Sequence, residues 1–258
     1  MAGRVNKLIR ASPILRDVAL VAHSGGNYVC PFCNYRARDL FAVGSDVAVL
    51  KERDVIGGGR RNVGCYKCGS EDRERLIYVY LKEKLGLFNG DKGLAVLHVA
   101  PEKNLSKKLL EFGFSDYVCG DLFTEGYRYP AHVRNLSILD IPFPDNYFDL
   151  IICNHVLEHI PDDLSAMREL NRVLKKGGQA ILQVPISRNT RVTFEDFRIR
   201  GPQERKRVFG QSDHVRIYGQ DYVDRLARSG FDVQRINISG EFSRFGLNRD
   251  EEIFVGRK

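Results

Sequence analysis

No apolar stretch of this sequence approaches the ~18 residues that a helix needs to cross a bilayer, so the sequence predicts no membrane-spanning segment. The N-terminal region also lacks an uninterrupted apolar run, because Arg10, Arg16 and Asp17 divide it, which argues against a secretory signal. Internal repeats are absent, and the one low-complexity feature is the run Gly57-Gly58-Gly59-Arg60-Arg61. We therefore expect a cytoplasmic protein without a membrane partner.

Hydrophobic residues make up 43% and charged residues 28% of the 258 residues, which is the composition of a globular protein. The formal net charge of +7 is compatible with a nucleic-acid partner. Four thiolates and one zinc ion, however, would add four negative and two positive charges and lower this charge to +5. Charge is therefore only a weak argument for nucleic acid.

Four of the six cysteines form two C-x-x-C pairs, Cys30-Pro31-Phe32-Cys33 and Cys65-Tyr66-Lys67-Cys68, separated by 31 residues. A turn-forming residue, Asn34 or Gly69, follows each pair. Two such pairs let four thiolates converge on one tetrahedral zinc ion, whereas a redox function would need only one pair. We predict a small zinc-ribbon-like module over residues 1–75, with a structural zinc ion, because a segment this short buries little apolar surface by itself.

Other features refine this division of the chain. Between the two cysteine pairs, the segment 46–50 (Asp-Val-Ala-Val-Leu) is predicted as a short β-like piece. Cys119 and Cys153 lie in apolar strand-like runs, so we expect both in the core and not at a metal.

From residue 76 onward the pattern alternates between helices and buried strands. The predicted helices are 76–85, 105–112, 162–176 and 221–229, and the predicted strands are 93–100, 117–121, 148–153, 179–185, 231–238 and 252–255. The helix 162–176 places Leu164, Met167, Leu170, Val173 and Leu174 on one face and stops at Gly177-Gly178. This alternation predicts an α/β fold with a doubly wound sheet that binds ligands beyond the carboxyl ends of its strands.

The residues 140–160, DIPFPDNYFDLIICNHVLEHI, and 167–178, MRELNRVLKKGG, closely resemble class I SAM-dependent methyltransferases of the type-11-like kind. In that family the runs LPFPDxSFDxV, VLEHI and RVLKPGG occur in the same order. The resemblance covers about residues 90–258 and implies a Rossmann-like sheet of seven strands with an antiparallel last strand, in a domain over residues 76–258. It also implies S-adenosylmethionine (SAM) as the cofactor. A subset of the family that has an LHxAPE loop, an N-terminal cysteine module and the motif FGQxDHVRxYG is similar over residues 30–240.

The resemblance also implies which residues bind the cofactor. Asp121, at the end of the second strand, corresponds to the acid that accepts hydrogen bonds from the ribose hydroxyls. The first loop, 98–104 (HVAPEKN), has no glycine where the family has a glycine-rich turn, so Ala100 takes the first glycine's position and Glu102 contacts the ammonium group of SAM. The full predicted set is His98, Ala100, Pro101, Glu102, Asp121, Leu122, Ser137, Ile138, Asp140, Asn154 and His155.

Methyl transfer to a hydroxyl requires alignment of the acceptor and removal of its proton, for which histidine is suited near pH 7. The predicted catalytic residues are His155, Glu158, His159 and His214. A strand cap at His155 and a packing pair at Glu158 and His159 are the structural alternatives. His214 belongs to a polar cluster with Asp213, Arg216 and Tyr218, which is either an acceptor site or a solvated loop. An arginine-rich stretch precedes it and is suited to anionic acceptors: Arg188, Arg191, Arg198, Arg200, Arg205, Lys206 and Arg207.

Three functions fit these residues. The first is O-methylation of a sugar, glycan or secondary-metabolite hydroxyl. The second is methylation of RNA, with the zinc module and the arginines on the phosphates. It is disfavoured because the module's aromatic residues Tyr28, Phe32, Tyr35, Phe41 and Tyr66 form no evident stacking stripe. The third is a non-catalytic binding protein, which the glycine-free loop allows.

Overall fold

The computed structural model describes residues 12–258, which divide into two compact units. The larger unit comprises residues 47–58, 89–236 and 252–258, and the smaller unit comprises the described residues up to 46 together with 59–88 and 237–251. Each unit is thus assembled from separate stretches of the chain. The domain boundary proposed at residue 75 lies inside one stretch of the smaller unit and stays a prediction.

A sheet of seven strands forms the centre of the larger unit. Its strands are β1 (Ala95–Val99), β2 (Asp116–Asp121), β3 (Val133–Asn135), β4 (Phe148–Asn154), β5 (Leu174–Gln183), β6 (Asp232–Ile236) and β7 (Ile253–Arg257). They are ordered β3-β2-β1-β4-β5-β7-β6, and β7 runs antiparallel to both of its neighbours while the first five pair in parallel. This confirms the Rossmann-like seven-stranded sheet and its antiparallel last strand.

Helices flank the sheet, and its two central strands are almost entirely buried. The helices Lys103–Phe112, Asp163–Val173 and Tyr222–Arg228 contact strands of the sheet, whereas the helix Pro202–Phe209 contacts the short helix Ala48–Glu52. Every residue of β1 is buried, and β4 is buried except for Asp149, as expected for parallel strands packed on both faces. Cys119 and Cys153 are buried in this sheet, so the prediction that they are core residues is confirmed.

Two local predictions were wrong. The helix predicted over 162–176 ends at Val173, because Leu174 pairs with Phe148 and opens β5, while the N–H of Tyr147 donates to the carbonyl of Val173 at 2.8 Å. The glycines 177 and 178 therefore lie within an irregular part of β5, where the register shifts. The segment 46–50, predicted as β-like, contributes to the short helix Ala48–Glu52 instead.

Short strands organise the segment that follows β5. Ile186–Ser187 pairs with Val55–Ile56, and Phe194–Glu195 pairs with Arg216–Ile217, each in antiparallel fashion. A single 3₁₀ turn, Leu157–His159, follows β4. These pieces lie in the larger unit, and they fix the residues beyond the carboxyl ends of β4 and β5.

The smaller unit is built around two antiparallel strand pairs. Ser24–Val29 pairs with Arg36–Ala37, and Phe41–Val43 pairs with Arg61–Gly64. Its helices are Pro13–Ala22, which Ser12 caps, and Asp72–Val79, which continues as a π-type turn over Tyr80–Lys84. A 3₁₀ turn spans Ser243–Phe245, and another, Leu87–Asn89, lies where the chain passes from the smaller unit to the larger one. Within residues 12–258, no helix combines the length and the apolar character needed to cross a membrane.

Candidate active site and metal centre

Two non-glycine residues in the left-handed backbone region follow adjacent strands of the sheet. Ala100, just after β1, has φ +46°, and His155, just after β4, has φ +56°. This conformation costs roughly 1–3 kcal/mol for a residue with a side chain, and such strain concentrates at ligand sites. The N–H of Ala100 donates to Gly120 O at 2.8 Å and the N–H of His155 to Gln183 O at 2.8 Å, so the neighbouring strands hold both turns.

Glu102 lies at the centre of a polar network between these two turns. One carboxylate oxygen lies 3.0 Å from Nε2 of His98, and the other accepts a short hydrogen bond from Nδ2 of Asn154. Nδ1 of His98 lies 2.8 Å from the Tyr117 hydroxyl. Asn154 is 3% exposed, and within the described residues its Oδ1 has no hydrogen-bond partner. A carboxylate and a free amide oxygen therefore lie together at the carboxyl edge of the sheet.

His98 itself does not reach this open edge. Its side chain is fully buried, and both ring nitrogens have partners. In this structure His98 holds Glu102 in place, and its assignment as a cofactor-binding residue stays a prediction. Tyr117, which the sequence analysis missed, fixes the orientation of the His98 ring.

Asp121 is half-buried at the end of β2, and burial raises the pKa of its carboxyl. Leu122 and Phe123 directly after it are exposed, and Phe123 stacks on Tyr129 at 4.2 Å between ring centroids. Gly120 before it admits no side chain, since a Cβ there would lie 2.8 Å from Leu136. An acid with apolar, ordered neighbours is suited to a ribose and an adjoining flat ring.

The predicted adenine loop, residues 137–140, is a tight turn. Ser137 and Asp140 form a β-bridge, and the Ser137 hydroxyl accepts the N–H of Leu139 at 3.2 Å. Ile138 is 5% exposed and packs in the core, whereas Asp140 is exposed. The Ser137 side chain is thus occupied in the turn, so the loop offers its backbone and Asp140 to a ligand.

The four predicted catalytic residues lie close together in space, beyond the carboxyl end of β4. Nδ1 of His155 lies 3.3 Å from a carboxylate oxygen of Glu158, and Nε2 of His159 lies 4.0 Å from the same oxygen. The rings of His159 and His214 meet edge to face, with centroids 4.7 Å apart. Glu158 is fully buried, which by itself would raise the pKa of its carboxyl, but the neighbouring imidazoles, His155 above all, lower that pKa to about 2. Burial lowers the pKa of His214.

Arg216 and Tyr218, the other members of the predicted polar cluster, have structural roles. Arg216 is 1% exposed and pairs with Glu195 at 2.9 Å, and the Tyr218 hydroxyl donates to Asp163 at 2.7 Å. Arg225 pairs with the same Asp163 at 2.6 Å. Two arginines and two acids thus form a buried network without net charge, so Arg216 and Tyr218 support the loop and do not face an acceptor.

Much of the arginine-rich stretch is also paired. Arg188 donates to Asp54 at 2.8 Å, Arg198 to Asp196 at 2.8 Å, and Arg207 lies 3.8 Å from Glu204. Arg191, Arg200 and Lys206 are exposed. Arg198 and Arg207 also stay exposed, so the pairing offsets part of the positive charge of this stretch without covering its guanidinium groups.

In the smaller unit the four cysteines of the two C-x-x-C pairs converge. Sγ of Cys30 lies 3.5 Å from Sγ of Cys68, and Sγ of Cys33 lies 3.7 Å from Sγ of Cys65. The edge of a tetrahedron with zinc–sulfur bonds of about 2.3 Å is roughly 3.8 Å, so the donor set and its spacing fit a zinc ion. Hydrogen bonding among the crowded thiols raises the pKa of Cys33 and lowers that of Cys30.

Both pairs have the same backbone turn. Asn34 N–H donates to Cys30 O at 2.9 Å, and Gly69 N–H donates to Cys65 O at 2.8 Å. Asn34 and Gly69 have φ of +57° and +77°, which explains the residue types that follow each pair. The Ser70 hydroxyl lies 3.3 Å from Sγ of Cys30.

Comparison with known proteins identifies the larger unit. The profile of a family described as "Methyltransferase domain" matches residues 98–182. An uncharacterised protein of Methanocaldococcus jannaschii is 41% identical over 66 residues, 24% of this chain and 28% of that protein. The 2-phytyl-1,4-naphtoquinone methyltransferase of Synechococcus elongatus is 30% identical over 115 residues, 45% of this chain and 42% of that enzyme. Residues 98–182, about a third of the chain, thus match a methyltransferase domain, and the seven-stranded sheet that contains them has the fold of class I SAM-dependent methyltransferases.

This chain spans less than half the length of the two curated relatives just named. Among solved structures, the [4+2]-cyclase SpnF is similar with a TM-score of 0.50 and 16% identity, over 72% of this chain and 81% of that protein. That similarity concerns the fold, which the methyltransferase domain shares with an enzyme named for a different reaction.

The methyltransferase domain has hydrogen-bond acceptors that fit SAM. Asp121 offers two acceptors for ribose hydroxyls, and Glu102 with the unpartnered Oδ1 of Asn154 offers acceptors for an ammonium group. Ala100 provides the left-handed turn that glycine provides in the family's usual loop. The glycine-free loop is thus compatible with a cofactor.

Proposed function

We propose that the chain transfers a methyl group from SAM to a hydroxyl of a small molecule, such as a sugar, glycan or secondary metabolite. The observation that carries this proposal is a pair of buried, unpartnered polar atoms at the end of β4. Oδ1 of Asn154 and Nε2 of His155 both have no hydrogen-bond partner in residues 12–258. Unpaired buried polar atoms are costly, and at this edge of the sheet they mark a ligand site.

SAM supplies an electrophilic methyl group on its sulfonium. In this proposal Asp121 accepts the ribose hydroxyls, and Glu102 with Asn154 accepts the ammonium group. These contacts fix the direction of the sulfur–methyl bond, so that the acceptor oxygen approaches in line. The exposed Leu122 borders the flat adenine ring, together with the backbone of Ser137 and Ile138 and with Asp140.

His155 is the proposed general base. The Glu158 carboxylate, 3.3 Å from Nδ1, stabilises a proton on that nitrogen and leaves Nε2 to accept. As the oxygen–methyl bond forms and the sulfur–methyl bond breaks, the acceptor's hydroxyl proton moves to Nε2. S-adenosylhomocysteine and the methylated product leave, and His155 returns its proton to solvent.

Two observations favour a small-molecule acceptor over RNA. Arg188, Arg198 and Arg207 each lie within 4 Å of an acid, which offsets part of the positive charge of residues 188–207, and one curated relative is named for a naphthoquinone acceptor. We also propose that the four cysteines bind a structural zinc ion and that the protein is cytoplasmic, where thiolates stay reduced.

Labelled SAM tests the proposal. The zinc-loaded full chain is incubated with methyl-labelled SAM and panels of sugars, glycans, phenolic metabolites and RNA, and each fraction is counted after RNase or glycosidase treatment. Label in a small-molecule or glycan fraction is the expected result. RNase-sensitive label would replace this proposal with RNA methylation, and failure of SAM to bind in calorimetry would favour a non-catalytic binding protein.

A further inference from the structure

Glu158, His159 and His214 form a cluster whose potential ligand atoms are close enough together to bind one metal ion. One ligand atom of each of the three residues lies within 4.8 Å of those of the other two. Glu158 is 2% exposed and His214 8% exposed, while the His159 side chain is 29% exposed. The cluster is therefore enclosed on the protein side and open on one side.

Backbone contacts hold this cluster in place without any ligand. Arg216 donates to the carbonyls of Leu157 at 2.9 Å and Pro161 at 2.8 Å, and the N–H of Val215 donates to Glu158 O at 3.0 Å. These bonds fix the loop that carries His214 against the turn that carries Glu158 and His159. The buried arginine thus positions two ligands that are distant in sequence.

The contacts of His159 resemble those of a metal-binding histidine. Oδ2 of Asp213 lies 3.4 Å from its Nδ1, so a carboxylate can hold the proton on that nitrogen. Its Nε2 is left on the side of Glu158, at 4.0 Å, which is too long for a hydrogen bond but suits two ligands of one ion. A carboxylate that orients the far nitrogen is the usual partner of a metal-bound imidazole.

The carboxylate oxygens of Glu158 differ in their surroundings. Oε1 contacts His155 and His159, whereas Oε2 is buried and has no hydrogen-bond partner in the described part of the chain. A buried carboxylate oxygen left unpaired is costly, and a cation would satisfy it. Two imidazoles and one carboxylate with an open side are a donor set for zinc, iron or manganese.

We infer that Glu158, His159 and His214 bind one divalent transition-metal ion beside the methyl-transfer site. Binding of the ion stands independently, whereas its contact with the acceptor rests on the proposed function. Through the open side the ion would bind the acceptor oxygen and favour its deprotonation, with His155 taking the proton. Acceptors with two adjacent oxygens, such as catechols, vicinal diols or hydroxyquinones, would chelate it.

Manganese separates this site from the four cysteines, because thiolates favour zinc over manganese. The zinc-loaded full chain is titrated with Mn²⁺, and the free ion is followed by electron paramagnetic resonance. A parallel sample is incubated with excess zinc, desalted and analysed for metal content. We expect one Mn²⁺ site, or a second zinc ion, per chain.

Variants assign the ion to the cluster. His159→Ala and His214→Asn should each raise the Kd for Mn²⁺ at least about 100-fold, and Asp213→Asn should raise it about 10–100-fold. His132→Ala, at an exposed histidine of the same unit, should leave the Kd unchanged. SAM titration of each variant reports folding of the methyltransferase domain independently of the metal.

The inference is overturned if neither Mn²⁺ nor a second zinc ion binds to the wild-type chain. It is equally overturned if a folded His159→Ala variant binds Mn²⁺ as tightly as the wild type does. If the wild-type chain binds Mn²⁺ but does not bind SAM, the proposed function is contradicted and the metal site is still supported.

Discussion

Replacing Glu102 with glutamine should weaken SAM binding while preserving the fold. The carboxylate meets Nε2 of His98 on one side and Nδ2 of Asn154 on the other. Glutamine can still accept from Asn154 and turn its amide N–H₂ to His98. The His98 ring can change tautomer in response, since the Tyr117 hydroxyl beside Nδ1 is able to donate or to accept. The substitution therefore removes the charge and keeps the network.

The size of the effect follows from the contact that is lost. A hydrogen bond to a charged group contributes about 1.5–3 kcal/mol. Since about 1.4 kcal/mol corresponds to a tenfold change, the Kd for SAM should rise roughly 10- to 150-fold in Glu102→Gln. The ribose contact of Asp121 should be unaffected.

Calorimetry with two ligands separates the two contacts. 5′-Methylthioadenosine has the ribose and adenine of SAM but no ammonium group, so Glu102→Gln should bind it like the wild type. Asp121→Asn should weaken both ligands by similar factors. Equal weakening of both ligands by Glu102→Gln would refute the assignment of the ammonium group to Glu102.

Three further substitutions test other parts of the structure. Cys33→Ser should abolish stoichiometric zinc binding, whereas Cys119→Ser, at a core cysteine, should keep the zinc, as metal analysis would show. Unchanged zinc content in Cys33→Ser would contradict the four-cysteine site. Arg75→Met should lower the free energy of unfolding, measured by urea denaturation, by about 3–5 kcal/mol. The reason is that the buried guanidinium donates to four carbonyls, those of Val63, Ser70, Phe245 and Gly246. Arg60→Met, at an exposed arginine, should change the free energy of unfolding by under about 0.5 kcal/mol. A similar loss of stability in both variants would show that burial of Arg75 is not the cause. His155→Gln should lower kcat by about 10²–10⁴ at an unchanged Kd for SAM, and an unaltered kcat would exclude His155 as the base.

The sequence determined the parts of this protein whose signals are local. Continuous apolar runs gave the parallel strands, and the two C-x-x-C pairs with Asn34 and Gly69 predicted turns that the structure contains. The end of the helix at Val173 was missed, because pairing of Leu174 with β4 overrides the stop signal of the later glycines.

Only the tertiary structure decided what surrounds each polar side chain. The sequence suggests that His98 and Arg216 are binding residues, yet both are buried. The ring nitrogens of His98 and the guanidinium nitrogens of Arg216 have partners within the chain. His214 lies beside Glu158 and His159 because Arg216, which follows the loop that carries His214, donates to the turn after β4. A sequence pattern records which groups are available, but burial and long-range contacts determine which of them remain free to bind.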